Sequence, residues 1–132
     1  HQPLHAVIPP RSATNGDEVL VFAPTSARKV VTLHTFWDDL PGSSRMSREA
    51  LDRLAQEWRA TAPVETGRLL RSLPEEWIAE DLAIARWAVD IDTHEQPTML
   101  SEAYRQQAAL VARERITIAA YRLADLLRRQ IR

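Results

Sequence analysis

The chain contains no cysteine, only three glycines and a single lysine, Lys29. Without cysteine it can form neither disulfide bonds nor thiolate metal sites, so any metal site must be built from His, Asp and Glu. Three scattered glycines exclude a glycine-rich phosphate loop. No apolar run approaches the roughly 18 residues of a membrane span.

What remains is typical of one globular domain. The 132 residues are 45% hydrophobic and carry a net charge of −1, which is enough apolar content for a small core. A protein that binds nucleic acid through bulk electrostatics would be more basic. An enzyme that binds phosphodiesters through metal ions need not be, because the metals supply the positive charge.

Helical patterns dominate the C-terminal two thirds of the chain. Ser47 is a predicted N-cap for a helix that ends near Thr61, and Pro74 fits the first turn of the next helix. Ser101 begins the strongest helical pattern. One stripe of that last helix is predicted to face the core, with charge on the other face; it consists of Ala112, Ile116, Ala119, Leu123, Leu126 and Leu127.

The first third differs in its patterns. Two β-like runs, Glu18–Phe22 and Lys29–Leu33, predict a two-stranded ribbon. A short helix is expected over His34–Asp39, before Pro41 and Gly42. The predicted fold is therefore an all-α helical bundle with a small β-ribbon inserted near the start.

One group of side chains suggests metal chemistry. His34 and Asp38 are four residues apart, so on a helix they lie on the same face. An imidazole nitrogen and a carboxylate oxygen at that spacing can reach one Zn²⁺, although many surface helices carry such a pair by chance. Adding His5 gives two histidines and a carboxylate, a set that leaves one zinc position open. A simple hydrogen bond between His34 and Asp38 is the alternative.

Several motifs carry a family resemblance. In order, HQPLH, an Asn-containing loop (SATNG), a β-like run and LHTFWDD resemble the zinc-dependent single-strand-specific nucleases of the mung bean nuclease type. The AAYRLADLL segment near the C-terminus is similar to that family's last helix, and Arg122 within it is expected to bond within the bundle. Here SATNG replaces the family's Gly-Gly-Asn loop. The resemblance implies the helical fold of the phospholipase C/nuclease superfamily.

The resemblance assigns roles to particular residues. It implies that His5, His34 and Asp38 hold one zinc ion, with His1 supporting the site. Asn15 would shape the site. Trp37 would support it or lie near substrate, where it could stack on a base, although core packing is the commoner role of such a residue. Asp39 would lie where substrate approaches, and its acidity is a departure that the resemblance does not explain.

The same resemblance implies that other parts of the site lie upstream. The family uses up to three zinc ions, and the remaining ligands and the catalytic Asp precede HQPLH. We therefore interpret residues 1–132 as a single domain that forms the C-terminal half of a longer enzyme, whose N-terminal half is its partner. The implied substrates are single-stranded DNA or RNA and nucleotides, and the products carry 5′-phosphates. The chain alone is expected to be inactive, and the full protein secreted or periplasmic.

Two other functions remain open at this point. A zinc-dependent phospholipase C-like hydrolase would share the helices and the metals but take a lipid headgroup. A non-catalytic helical domain would use the same His and Asp residues structurally.

Overall fold

The computed structural model of the protein describes residues 2–6, 19–23, 26–42, 46–61, 73–92, 94 and 97–131. Within these residues, a 3₁₀ turn precedes a two-stranded sheet and four helices, which confirms the predicted all-α fold with a ribbon near the start. The elements are the 3₁₀ turn Pro3–Ala6, β1 Leu20–Ala23, β2 Ser26–Thr32, α1 Leu33–Asp39, α2 Arg48–Thr61, α3 Pro74–Ala88 and α4 Glu102–Gln130. None of these helices combines the length and the apolar character needed to cross a membrane.

The two strands form an antiparallel ribbon in which Leu20 pairs with Thr32. Both strands are shifted from the predicted limits by up to three residues. Just before α4, Thr98 adds a short extended stretch to the ribbon. Thr98 N–H donates to the Leu20 carbonyl at 2.8 Å, and Phe22 N–H donates to the Thr98 carbonyl at 3.2 Å. The ribbon is therefore tied directly to the start of the longest helix.

Hydroxyl side chains set the start of three helices. The oxygens of Thr32, Ser47 and Ser101 each accept a hydrogen bond from the backbone N–H three residues later. Such caps satisfy donors that the first turn of a helix leaves without partners. Pro74 occupies the first turn of α3, where its missing N–H costs nothing. The starts at Ser47, Pro74 and Ser101 agree with the sequence-based predictions, whereas Thr32 and Leu33 had been assigned to the second strand.

The main core lies beneath α1. Its buried members are Val21, Leu33, Phe36, Trp37, Ala88, Leu100 and Ala108. Tyr104 links three helices there: its hydroxyl accepts from Trp37 Nε1 at 3.0 Å and donates to the Ala88 carbonyl at 2.6 Å. Burial raises the pKa of Tyr104, and the hydrogen bond from Trp37 partly offsets this. Through these two hydrogen bonds, the buried side of α1 is linked to α3 and α4.

The predicted apolar stripe on α4 was wrong for most of its members. Ile116, Leu123, Leu126 and Leu127 are exposed, whereas Ala112 is buried. The buried face is rotated and contains two arginines; its residues are Ala108, Ala112, Arg115, Thr117, Ile118 and Arg122. Small side chains on this face leave room for guanidinium groups, whereas the prediction had assigned charged residues to the opposite face and expected only Arg122 to bond within the bundle.

Carboxylates on α3 accompany these buried arginines. Glu80 accepts from Arg122 through both oxygens, at 2.9 and 3.0 Å, and from Arg115 at 2.7 Å. Asp81 lies 2.9 Å from Arg115. Burial alone would raise the pKa of Glu80, but the hydrogen bonds and charges of Arg122 and Arg115 outweigh it, so the pKa lies below its ordinary value. The bonds expected of Arg122 within the bundle are confirmed.

Candidate metal centre

Two elements bring the three predicted ligands together. The 3₁₀ turn carries His5, and α1 carries His34 and Asp38 on successive turns. The turn packs against α3, while α1 follows directly from β2 and is capped by Thr32. Because α1 contains only two turns, the Thr32 cap and the buried Trp37 beneath it determine where both ligands lie.

The ligand atoms converge on one point. His5 Nε2 and His34 Nε2 are 3.1 Å apart, and His34 Nε2 lies 3.4 Å from Asp38 Oδ2. One ligand atom from each of the three residues lies within 4.8 Å of the others. Zinc–nitrogen bonds of about 2.0–2.1 Å in a tetrahedral site place two ligand atoms about 3.3 Å apart. The spacing therefore fits a shared zinc ion with little movement.

The group is open to solvent. All three side chains are exposed, with His34 at 46% and Asp38 at 51% of their full accessible surface. Two imidazoles and one carboxylate are the donors of many catalytic zinc sites, which keep their fourth position for water or substrate. A purely structural zinc site usually has four protein ligands. The described arrangement suits a metal that meets a reactant.

Sequence reasoning missed Gln2. Its amide nitrogen donates to Asp38 Oδ1 at 3.1 Å, and its Oε1 accepts from the His5 backbone N–H at 3.1 Å. Position 2 lies inside the HQPLH motif, which was the only available signal. Gln2 and Asp38 are 36 residues apart in sequence, so sequence spacing alone could not predict that they are in contact.

The other predicted site residues have different outcomes. His1 and Asn15 lie outside the described residues. Asp39 is exposed at the end of α1, next to Asp38. Trp37 is 1% exposed and bonds to Tyr104, so its ring cannot stack on a base and it supports α1 from the core. The remaining histidine in the described residues, His94, is exposed, and its backbone N–H donates to Asp92 Oδ1.

Comparison with known proteins bears on this geometry. A family model described as S1/P1 nuclease matches residues 1–132, the whole chain. The chain belongs to the S1/P1 nuclease family. Searches of curated proteins and of solved structures gave no significant match.

Membership of the S1/P1 nuclease family gives the convergent ligands a context. The family resemblance drawn from HQPLH and LHTFWDD is confirmed, and with it a hydrolase family that acts on nucleic acid. His5, His34 and Asp38 form a group that could hold a metal ion. A cation held there could face a phosphate, and the chain itself carries a net charge of −1.

Proposed function

We propose that this chain supplies one zinc-binding site to an enzyme that cleaves phosphodiester bonds in single-stranded DNA or RNA. His5, His34 and Asp38 would be the protein ligands. The observation that carries the proposal is their convergence, with all three ligand atoms within 4.8 Å in a chain of the S1/P1 nuclease family. The two contacts of 3.1 and 3.4 Å between ligand atoms support the proposal, because they are close to the separation of ligand atoms around zinc.

Each ligand has a defined task. His5 Nε2 and His34 Nε2 would present their lone pairs to zinc, so each ring must carry its proton on Nδ1. Asp38 Oδ2 would add a negative charge that lowers the net charge of the site. When bound, zinc supplies Lewis-acid polarisation of the phosphoryl group and stabilises charge on the leaving oxygen. The exposure of all three ligands leaves room for a phosphate of the nucleic acid.

The proposal also extends to the rest of the enzyme. We infer that further zinc ligands and the catalytic carboxylate lie upstream of His1, so that up to three zinc ions act together in the complete protein. Cleavage would release 5′-phosphorylated products, with 3′-nucleotidase action on free nucleotides. We further propose that the complete protein is secreted or periplasmic. This part rests on the family resemblance alone.

The test compares two lengths of protein. Zinc-loaded chain 1–132 and a form extended upstream would be incubated with single-stranded DNA, single-stranded RNA and duplex DNA. New 5′-phosphate ends would be counted. We expect cleavage of single strands by the extended form, little by the short chain, and a loss of at least about 100-fold for His34→Ala in the extended form, since a ligand should cost more than the 10–100-fold of a supporting residue.

A matched control is His94→Ala, because His94 is an exposed histidine distant in sequence from the ligands. It should leave cleavage unchanged. Phosphatidylcholine vesicles form a second arm, in which preferred hydrolysis of the lipid would favour the phospholipase C-like alternative. Retention of nuclease activity by His34→Ala would contradict the proposed site.

A further inference from the structure

Gln2 contacts both segments that carry the proposed ligands. Its side-chain nitrogen lies 3.1 Å from Asp38 Oδ1 on α1, and its side-chain oxygen lies 3.1 Å from the backbone nitrogen of His5. The two ends of the amide cannot be exchanged. A carboxylate only accepts hydrogen bonds and a backbone N–H only donates them, so nitrogen must face Asp38 and oxygen must face His5.

The bond to Asp38 has a consequence for the carboxylate. With Oδ1 engaged by Gln2, the plane of the carboxyl group is fixed and Oδ2 is the oxygen 3.4 Å from His34 Nε2. An exposed Asp side chain would otherwise rotate about its terminal torsion, which has broad minima. Asp38 is 51% exposed, so this bond replaces the packing that fixes a buried carboxylate.

The hydrogen bond between Gln2 Oε1 and the His5 backbone N–H contributes less to the arrangement of the site. The His5 backbone N–H also lies 3.0 Å from the Gln2 carbonyl oxygen, within the 3₁₀ turn. This donor therefore keeps a partner when the Gln2 side chain is removed. The part of Gln2 that has no substitute in the described contacts is the bond to Asp38.

We propose that Gln2 is a positioning residue for the metal site. By donating a hydrogen bond to Asp38 Oδ1, Gln2 orients the carboxylate so that Oδ2 faces the ion. The inference rests on the proposed function, because it requires that His5, His34 and Asp38 bind zinc. It assigns the glutamine of HQPLH a role in metal affinity rather than in contact with nucleic acid. Removing a residue that orients a metal ligand typically lowers affinity about 10–100-fold.

The test is a double-mutant cycle on zinc affinity, measured by competition with a fluorescent chelator on the 132-residue chain. Gln2→Met keeps the length of the side chain and removes both hydrogen bonds. Alone, it should weaken zinc binding about 10–100-fold. In an Asp38→Ala background, His5 and His34 remain and bind zinc more weakly, so a lower-affinity chelator is used; there Gln2→Met should change the residual affinity by less than about twofold, the range of independent sites. Gln106→Met is the matched control, because Gln106 donates to Glu102 on the surface of α4.

Each outcome decides between distinct conclusions. If Gln2→Met weakens binding equally in both backgrounds, Gln2 acts by holding the 3₁₀ turn and the inference is wrong. If Gln2→Met leaves affinity unchanged while the parent chain binds zinc, the inference fails and the proposed function stands. If the parent chain does not bind zinc, both fail. Only a large effect of Gln2→Met in the parent chain, where Asp38 is present, together with little effect in Asp38→Ala, supports the inference.

Discussion

Two polar clusters in this chain each join two structural elements that are distant in sequence, but one cluster is largely buried and the other is exposed. The ion-pair cluster of Arg115, Arg122, Glu80 and Asp81 joins α3 to α4, and both arginine side chains are buried. The ligand group of His5, His34 and Asp38 joins the 3₁₀ turn to α1 and is exposed. Each depends on residues about 30 or more positions apart in sequence.

The difference lies in charge and access. The ion-pair cluster sets two guanidiniums against two carboxylates, so its charges balance, and both guanidiniums are buried. The ligand group points two imidazole nitrogens and a carboxylate oxygen at one another across 3.1 and 3.4 Å. Converging lone pairs are costly unless a proton or a cation lies between them. The ion-pair cluster stabilises the packing of two helices, whereas the exposed, convergent ligand atoms support the proposed metal site.

The largest effect should come from breaking the ion-pair cluster. Glu80→Gln removes the charge that Arg115 and Arg122 share, and we expect the free energy of unfolding to fall by about 3 kcal/mol, the lower end of the range for breaking a buried ion pair. Chemical denaturation measures the change. Zinc affinity of the folded variant should be unaltered.

The matched control is Glu102→Gln. Glu102 also pairs with an arginine, Arg105, but at the surface of α4, so its loss should have a far smaller effect on stability. Equal destabilisation by the two variants would mean that burial does not distinguish the ion-pair cluster from a surface pair.

A smaller loss is expected where the ligand group rests on the core. Tyr104→Phe removes the hydroxyl that serves Trp37 Nε1 and the Ala88 carbonyl. Leaving such buried groups without partners should lower the free energy of unfolding by about 2 kcal/mol. Tyr121→Phe, at an exposed tyrosine, should stay within about 0.5 kcal/mol. A Tyr104→Phe variant as stable as its control would show that this link does not anchor α1.

The last prediction concerns how the stability that Glu80 provides depends on pH in the acid range. The pKa of Glu80 is lowered in the folded state from its ordinary value of 4.5, so its contribution to stability is fully present above pH 4.5. That contribution is lost as the pH falls below 4.5 through the folded pKa. Unfolding curves of the parent chain and Glu80→Gln should therefore converge in acid. A gap that stays constant down to low pH would contradict the lowered pKa.

The sequence predicted the ligand group better than the ion-pair cluster, for a physical reason. His34 and Asp38 are related by helical spacing, and the Ser47 and Ser101 caps act on their own neighbours, so local pattern was sufficient for these features. The approach of His5 to them came from family resemblance, because spacing cannot bring together residues 29 positions apart.

What sequence reasoning missed depends on tertiary partners. Arg115 was placed on the charged, solvent-facing side of the helix because charge is normally excluded from a core, and Arg122 was expected to bond within the bundle without its partner being identified. Their burial follows from Glu80 and Asp81 on another helix, which no pattern within α4 reveals. Counting arginine as a possible core residue would have given the stripe Ala108, Ala112, Arg115 and Arg122. Gln2 was missed because its partner lies on a different element.

The central claim is that this chain holds zinc through His5, His34 and Asp38. The most direct measurement is the zinc content of the purified chain after loading and dialysis, for the parent, His34→Ala and His94→Ala. We predict about one zinc ion per chain in the parent and in His94→Ala, and almost none in His34→Ala, since removing one of three ligands leaves only two. A parent chain that retains no zinc, or a His34→Ala variant that retains as much as the parent, would contradict the claim.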